Sequence, residues 1–176
     1  ATSAGTSIEL PVIMAIWLGM RLSEIRGAKF SDIKDHRLHI CRAIVDDADG
    51  NPTVKPPKTF SGDRWIQLPP YIEALIEKQP HESEFIISLS GQAIYKRFSR
   101  LLEQNGIEHC RFHDLRHANA AAMILLGIDS KYAQERNGWN SDRMYKQVYG
   151  YTMQPKMDEN ANSIDQYFSS LLNGTP

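Results

Sequence analysis

The stretch His113-Asp114-Leu115-Arg116-His117 decides how the rest of the chain is read. It opens a helix predicted over 113–126, which Gly127 ends. A spacing of three puts His113 and Arg116 on one helix face, and a spacing of four adds His117. Two chemistries fit that face. A histidine beside an arginine can grip a phosphate oxygen. Two histidines at i, i+4 also have the spacing of zinc helices of the H-E-x-x-H type. Zinc fits less well, because Asp114 is too short for that motif's Glu base and Arg116 would set a fixed cation beside the metal. A plain structural histidine needs neither chemistry.

Working outward, Asn137-Gly138-Trp139 is followed by Tyr145, Tyr149 and Tyr151. Tyrosines at helical steps are by default packing residues, and nothing local singles one out. The run from Ala120 to Tyr149 also has the helix–Gly–helix form of a helix-turn-helix. Upstream, Gly19-Met20-Arg21-Leu22-Ser23-Glu24 sets Arg21 and Glu24 three apart, where they can pair. On a surface such a pair is worth under about 1 kcal/mol. Here it follows a glycine and a helix predicted over 8–18, so the turn can aim Arg21 into a cleft. Lys58, in Pro56-Pro57-Lys58-Thr59, stands at the mouth of a predicted hairpin, with Lys55 as a competitor. A hairpin lysine is usually just solvated, but a mobile ammonium can also protonate a leaving oxygen.

The periods around these segments fix the architecture. The helix over 8–18 is apolar nearly all round and should be buried. Ser23 could cap a second helix ending at Gly27. Residues 37–45 alternate in twos as one strand, and 54–58 and 64–68 read as two more joined by a Gly-bearing loop. Helices are predicted near 71–78, 90–104, 113–126, 130–137, 141–150 and 161–172. The fold class is α+β, mainly helical, with a small antiparallel sheet of three strands.

The 176 residues amount to one domain with a small appendage at 158–176. Hydrophobic residues are 41% and charged residues 23%, which excludes disorder and a membrane channel. The longest apolar run, Leu10 to Met20, is too short for a bilayer, which needs about 20 residues. Cys41 and Cys110 form no C-x-x-C pattern, so a reducing, cytoplasmic setting is expected. The opening Ala1-Thr2-Ser3-Ala4-Gly5-Thr6-Ser7 reads as a cut end, and the chain is expected to be a piece of a longer protein.

The formal net charge of −1 speaks at first against DNA, whose phosphates need Lys and Arg. The charge is unevenly spread, however. Asp46, Asp47 and Asp49 carry −3, residues 73–84 carry −3, and Asp158, Glu159 and Asp165 carry −3. The remainder carries +8 and holds every candidate site residue. A phosphate meets that local field rather than the chain average.

Taken in order, these pieces resemble the catalytic domain of the tyrosine recombinases, the phage integrase family. The resemblance runs from Ile8 to Tyr149: an arginine in G-x-R-x-x-E, a hairpin lysine, a histidine and arginine in H-x-x-R, Gly-(His/Trp), then tyrosine. It implies that Arg21 and Arg116 bind the phosphate, that Lys58 is the hairpin lysine, and that His113 is the histidine of the H-x-x-R box. It implies that Glu24 supports the first arginine and that Tyr149 is the nucleophile. Trp139 stands where most members have a second histidine. It cannot serve as acid or base, but its indole N–H can donate one hydrogen bond. Tyr151 falls where many members have a histidine, and Tyr145 and Tyr151 are the lesser candidates for nucleophile.

The resemblance also implies an integrase-like fold and site-specific DNA recombination through a 3′-phosphotyrosyl intermediate, with no metal or other cofactor. Double-stranded DNA is the implied partner, and the protein would be DNA-associated in a bacterial cytoplasm. A separate N-terminal core-binding domain would precede this chain. Ile164, Tyr167, Phe168, Leu171 and Leu172 lie at helical spacing. That C-terminal helix would dock on a neighbouring protomer in a tetramer on paired sites, or fold back on its own domain. The isolated domain would then be monomeric or weakly associated. The rival readings are a type IB topoisomerase, a non-catalytic DNA-binding module of the same fold, and a metallohydrolase on His113 and His117.

The implied chemistry suits these residue types. Attack on a phosphodiester builds charge on its non-bridging oxygens. Two guanidiniums can hold those oxygens with forked hydrogen bonds and stay charged at any working pH. A free tyrosine has a pKa of about 10, and nearby cations favour its phenolate.

Overall fold

The computed structural model describes residues 5, 7–57, 60–143, 145–148, 164–166 and 169. Helix α1 (Glu9–Trp17) buries Leu10, Met14 and Ala15, with Ile8 and Leu18 at its ends. Its apolar composition does not bury it all round as expected. Ile16 and Trp17 stay exposed, at 38% and 45%, beside an open groove that α5 and α6 also line. Gly19 then turns the chain at a φ of +65°. Helix α2 (Leu22–Gly27) follows, and its N-cap is Arg21 rather than the expected Ser23. Glu24 supplies the cap by accepting the Arg21 backbone N–H at 2.9 Å.

The strands are shorter and more numerous than the alternation predicts. They are β1 (Ile33–Lys34), β2 (Arg37–Ile40), β3 (Ala43–Asp46), β4 (Pro52–Lys55) and β5 (Arg64–Gln67). The single strand expected over 37–45 breaks at Cys41 and Arg42. There the Arg42 side chain turns back onto the Asp32 carboxylate and the Gly27 carbonyl. One antiparallel sheet has the order β1-β2-β5, with Leu38 opposite Ile66 and Ile40 opposite Arg64. The other is the hairpin of β3 and β4, with Ala43 opposite Lys55. A three-stranded antiparallel sheet is therefore present, but the segments expected to pair as 54–58 and 64–68 lie in different sheets. Period-2 alternation identifies a strand without naming its partner. Here β5 turns Ile66 to the main core beside Leu38, while β3 is fastened to α2 by the fork between Arg26 and Asp46, at 2.7 and 3.1 Å.

The helical half follows its sequence signals closely. Helix α3 (Pro70–Glu77) begins with Pro70 at its first position, where a missing N–H costs nothing. Helix α4 (Gly91–Gln104) is capped by Ser90 Oγ, which accepts the Ala93 N–H at 3.1 Å. Helix α5 (Asp114–Leu125) carries the decisive segment, and α6 (Ser130–Asn137) is capped by Asp129. Residues 143 and 145–148 are helical, within the helix expected over 141–150. Of the helix expected over 161–172, residues 164–166 and 169 are described and helical. Among the described residues no helix is long and apolar enough to cross a membrane.

Two apolar clusters result. The larger joins α1, α2, the three-stranded sheet, α3 and α4, with Met14, Leu18, Ile25, Ile72, Ile94 and Phe112 among its fully buried side chains. The smaller holds Ala120, Met123, Ile124, Ala133, Trp139 and Tyr145. The candidate site lies on the seam between them.

Candidate active site

The site is organised by the end of α6. A helix leaves its last carbonyls without intrahelical partners. Gly138, at a φ of +63°, lets the chain curl back so that its N–H meets Glu135 O at 3.2 Å and the Trp139 N–H meets Gln134 O at 3.0 Å. The next three carbonyls go to three arginines from elsewhere in the chain. Arg64 Nε donates to Arg136 O at 2.8 Å, Arg116 Nη2 to Asn137 O, and Arg21 Nη2 to Gly138 O at 3.2 Å. The negative end of the helix dipole adds its attraction for the three cations.

Glu24 is the carboxylate among them. It is 4% exposed and pairs with Arg21 Nη1 at 2.6 Å and Arg64 Nη2 at 3.0 Å. Burial alone would raise its pKa. The charge and hydrogen bonds of Arg64, joined by those of Arg21, outweigh burial and hold it below the ordinary value, so Glu24 is ionised at neutral pH. Arg64 completes its contacts with a bond from Nη1 to Gly62 O at 3.0 Å.

Arg116 is 3% exposed and also donates to Gly19 O. Burial, then the charge of Arg21, pushes its pKa down to about 9, which leaves it cationic at pH 7. The guanidinium lies over the Trp139 ring, 5.6 Å from its centre. Trp139 thus meets Arg116 through its ring face, a cation–π contact that the expectation of an N–H donor did not include. With Glu24 as the one carboxylate among the described residues against Arg21, Arg64 and Arg116, the cluster keeps a positive excess that suits a phosphodiester anion.

His113 precedes α5 and is exposed. It lines a cavity of about 570 Å3 with Arg21, Ser23, Gln92 and Tyr95. Partial burial, then the neighbouring His117, Arg116 and Arg21, lower its pKa, which favours the neutral imidazole near pH 7. The His113 and His117 rings meet edge to face, 5.0 Å apart. Among the described residues no group of three or more His, Cys, Asp or Glu could hold a metal ion. Asp114 accepts from the Arg111 N–H at 2.8 Å and pairs with the Arg111 guanidinium at 2.9 Å. It latches the turn before α5.

Of the candidate residues, Arg21, Glu24, Arg116 and Trp139 meet around the end of α6, and His113 shares a cavity with Arg21. Lys58 and Tyr149 lie outside the described residues, as does Tyr151. Tyr145 is buried and donates its hydroxyl to Ile128 O at 2.6 Å, the arrangement of a packing tyrosine. Arg64 went unnoticed in the sequence. Its signal was there: it shares the buried phase of β5 with Ile66, while Trp65 and Gln67 face out. An arginine on the apolar phase of a strand needs a buried partner. Asn119 and Asn137 were also missed. Both are buried, and both present a side-chain oxygen without a hydrogen-bond partner toward Gly19.

Comparison with known proteins places these residues in context. The phage integrase family matches residues 4–154. The putative prophage phiRv2 integrase of Mycobacterium tuberculosis is 31% identical over 143 residues, covering 72% of this chain and 38% of that protein. This chain spans well under half the length of the curated relatives it matches. Among solved structures, the Tn1549 transposon integrase in complex with a circular intermediate DNA has a TM-score of 0.70 at 14% identity. It covers 90% of this chain and 58% of that one. A lambda integrase tetramer bound to a Holliday junction has a TM-score of 0.54 at 23% identity, covering 83% of this chain and 43% of that one.

Proposed function

Because the chain belongs to the phage integrase family, we propose that it cuts and rejoins DNA at specific sites through a covalent phosphotyrosyl intermediate. The observation that carries this reading is the end of α6, where three consecutive carbonyls hold Arg64, Arg116 and Arg21 around one buried carboxylate. Such a preset cationic cluster suits a phosphodiester whose charge grows during attack, and it needs no reorganisation when the charge develops. A guanidinium has five N–H donors, enough to hold a main-chain carbonyl and a phosphate oxygen together.

In the proposed reaction the Tyr149 oxygen attacks the scissile phosphorus. A bond from tyrosine to the 3′-phosphate forms as the bond to the 5′-oxygen breaks. Neutral His113 takes the phenol proton, and the Lys58 ammonium protonates the departing 5′-oxygen. No water is consumed, so the phosphoester is kept for joining to another strand. Arg21 and Arg116 bear the phosphate, while Trp139 packs against Arg116 and fixes its plane.

Double-stranded DNA is the proposed partner. On paired sites we propose a tetramer, with the C-terminal segment of one protomer seated on the next. An apolar groove between α1, α5 and α6 could receive it, lined by Ile16, Trp17, Met123, Leu126, Ile128 and Tyr132. Nicked duplexes captured covalently from a random-sequence library test the reading. The unsubstituted protein should form adducts, and Tyr149→Phe should bind the same duplexes without forming them. Binding with no adduct from the unsubstituted protein would favour the non-catalytic module. Relaxation of supercoils on any sequence would favour the topoisomerase.

A further inference from the structure

We infer that Arg64 is a positioning residue for the phosphate-binding arginines, holding Glu24 and the last turn of α6 where Arg21 and Arg116 can meet one phosphate. The inference rests on the recombinase reading and adds a residue that the family motif does not supply.

The Arg64 side chain is buried, and its Nε, Nη1 and Nη2 all donate to acceptors within the fold. Four hydrogen bonds tie it to three separate parts of the fold. Nη1 and Nη2 fork onto Glu24 of α2 at 3.3 and 3.0 Å, Nε reaches Arg136 of α6 at 2.8 Å, and Nη1 reaches Gly62 at 3.0 Å. Glu24 passes the constraint on, since it holds Arg21 by both the guanidinium and the backbone N–H. The end of α6 passes it on a second time, because Asn137 O and Gly138 O are the acceptors of Arg116 and Arg21.

The contact is close-fitting as well as polar. A Cβ at Gly138 would lie 2.8 Å from Arg64 Nη1 and 2.7 Å from Ser61 O. Ser61 Oγ in turn donates to Asn140 Oδ1 at 2.6 Å. The segment 60–64 is thereby fixed to the chain just beyond α6, and it follows six residues or fewer after Lys58. A lysine in place of Arg64 keeps the charge but has no planar fork to bond α2, α6 and Gly62 together. A methionine fills similar space and leaves Glu24 with one cation fewer.

The experiment compares Arg64→Lys, Arg64→Met, Glu24→Gln and the two double variants in the same protein. The DNA is a nicked duplex captured from the random-sequence library by the unsubstituted protein. Adduct formation in a single turnover, duplex affinity and thermal midpoint are measured for each. Both Arg64 variants should bind within about threefold of the unsubstituted protein yet form adduct roughly 10- to 100-fold more slowly, the size expected of misplaced catalytic groups. Glu24 is faced by Arg21 from the head of α2, Arg64 from β5 and Arg116 from α5. With Arg64 replaced by Met, burial should raise Glu24 enough to take a proton, so the rate should fall further from pH 7 to pH 5. Adding Glu24→Gln should abolish that extra fall. If the Met variant does not melt cooperatively, the Lys variant decides: adding Glu24→Gln to it should cost little more. Adduct formation by folded Arg64 variants within threefold of the unsubstituted rate would overturn the inference. So would a slowing that neither follows pH in the Met variant nor couples to Glu24. Failure of the unsubstituted protein to form any adduct would instead overturn the recombinase reading, and the inference with it.

Discussion

The guanidinium of Arg116 donates to the carbonyl of Asn137, the last residue of α6, 21 positions further along the chain. A helix end that would otherwise spend its carbonyls on water holds a buried arginine instead. Arg21 and Arg64 use the neighbouring carbonyls in the same way. The arginine cluster is therefore set by the cap of α6 as much as by the elements that carry the arginines.

Gly138→Ala should disturb both stability and chemistry. The left-handed backbone there costs an L-residue about 1–2 kcal/mol. The added Cβ would also press on Ser61 O and Arg64 Nη1. A lower denaturant midpoint should accompany a slower adduct rate, whereas an unchanged midpoint would mean that the turn relaxes freely.

Tyr145→Phe should disturb stability alone. It removes a hydroxyl that donates to Ile128 O, at a cost of about 1 kcal/mol. Adduct formation in the folded protein should persist. Chemical denaturation and single-turnover trapping on the same sample separate the two effects.

Glu24 should make stability depend on pH in one direction. Its folded pKa lies below the ordinary 4.5, so the unfolded chain takes up its proton more readily. Its contribution is complete above that value and is lost as the pH falls through the folded pKa. Denaturant midpoints measured from pH 7 to pH 3 should decline less steeply in Glu24→Gln, which should also be less stable at pH 7. Parallel declines in the two proteins would show that Glu24 is not the group responsible.

Cleavage should continue in EDTA, because in the proposed reaction guanidiniums take the role that divalent cations fill in two-metal nucleases. Loss of adduct in EDTA, restored by zinc, would return His113 and His117 to the status of metal ligands.

The parts legible in the sequence are those set by short-range spacing. Arg21 and Glu24, or His113 and Arg116, are one helical turn apart, so the motif already contains their geometry. Helices α3, α4 and α6 start at Pro70, Ser90 and Asp129, residue types that favour a helix start, and α5 stops before Gly127. The sheets were less legible because strand pairing is non-local. Nothing near Val54 says that β4 pairs with β3 while β5 crosses to β2. Arg64 was hidden for the same reason, since its acceptor Arg136 O lies 72 residues away. The break at Cys41 and Arg42 depends on Asp32 and Gly27, which alternation does not register.

Mapping the covalent adduct tests the central claim most directly. The unsubstituted protein, trapped on a nicked duplex and digested with protease and nuclease, should yield one nucleotide-bearing peptide, with a 3′-phosphate esterified to Tyr149. A nucleotide on Tyr145 or Tyr151, or an adduct that survives Tyr149→Phe, would contradict it.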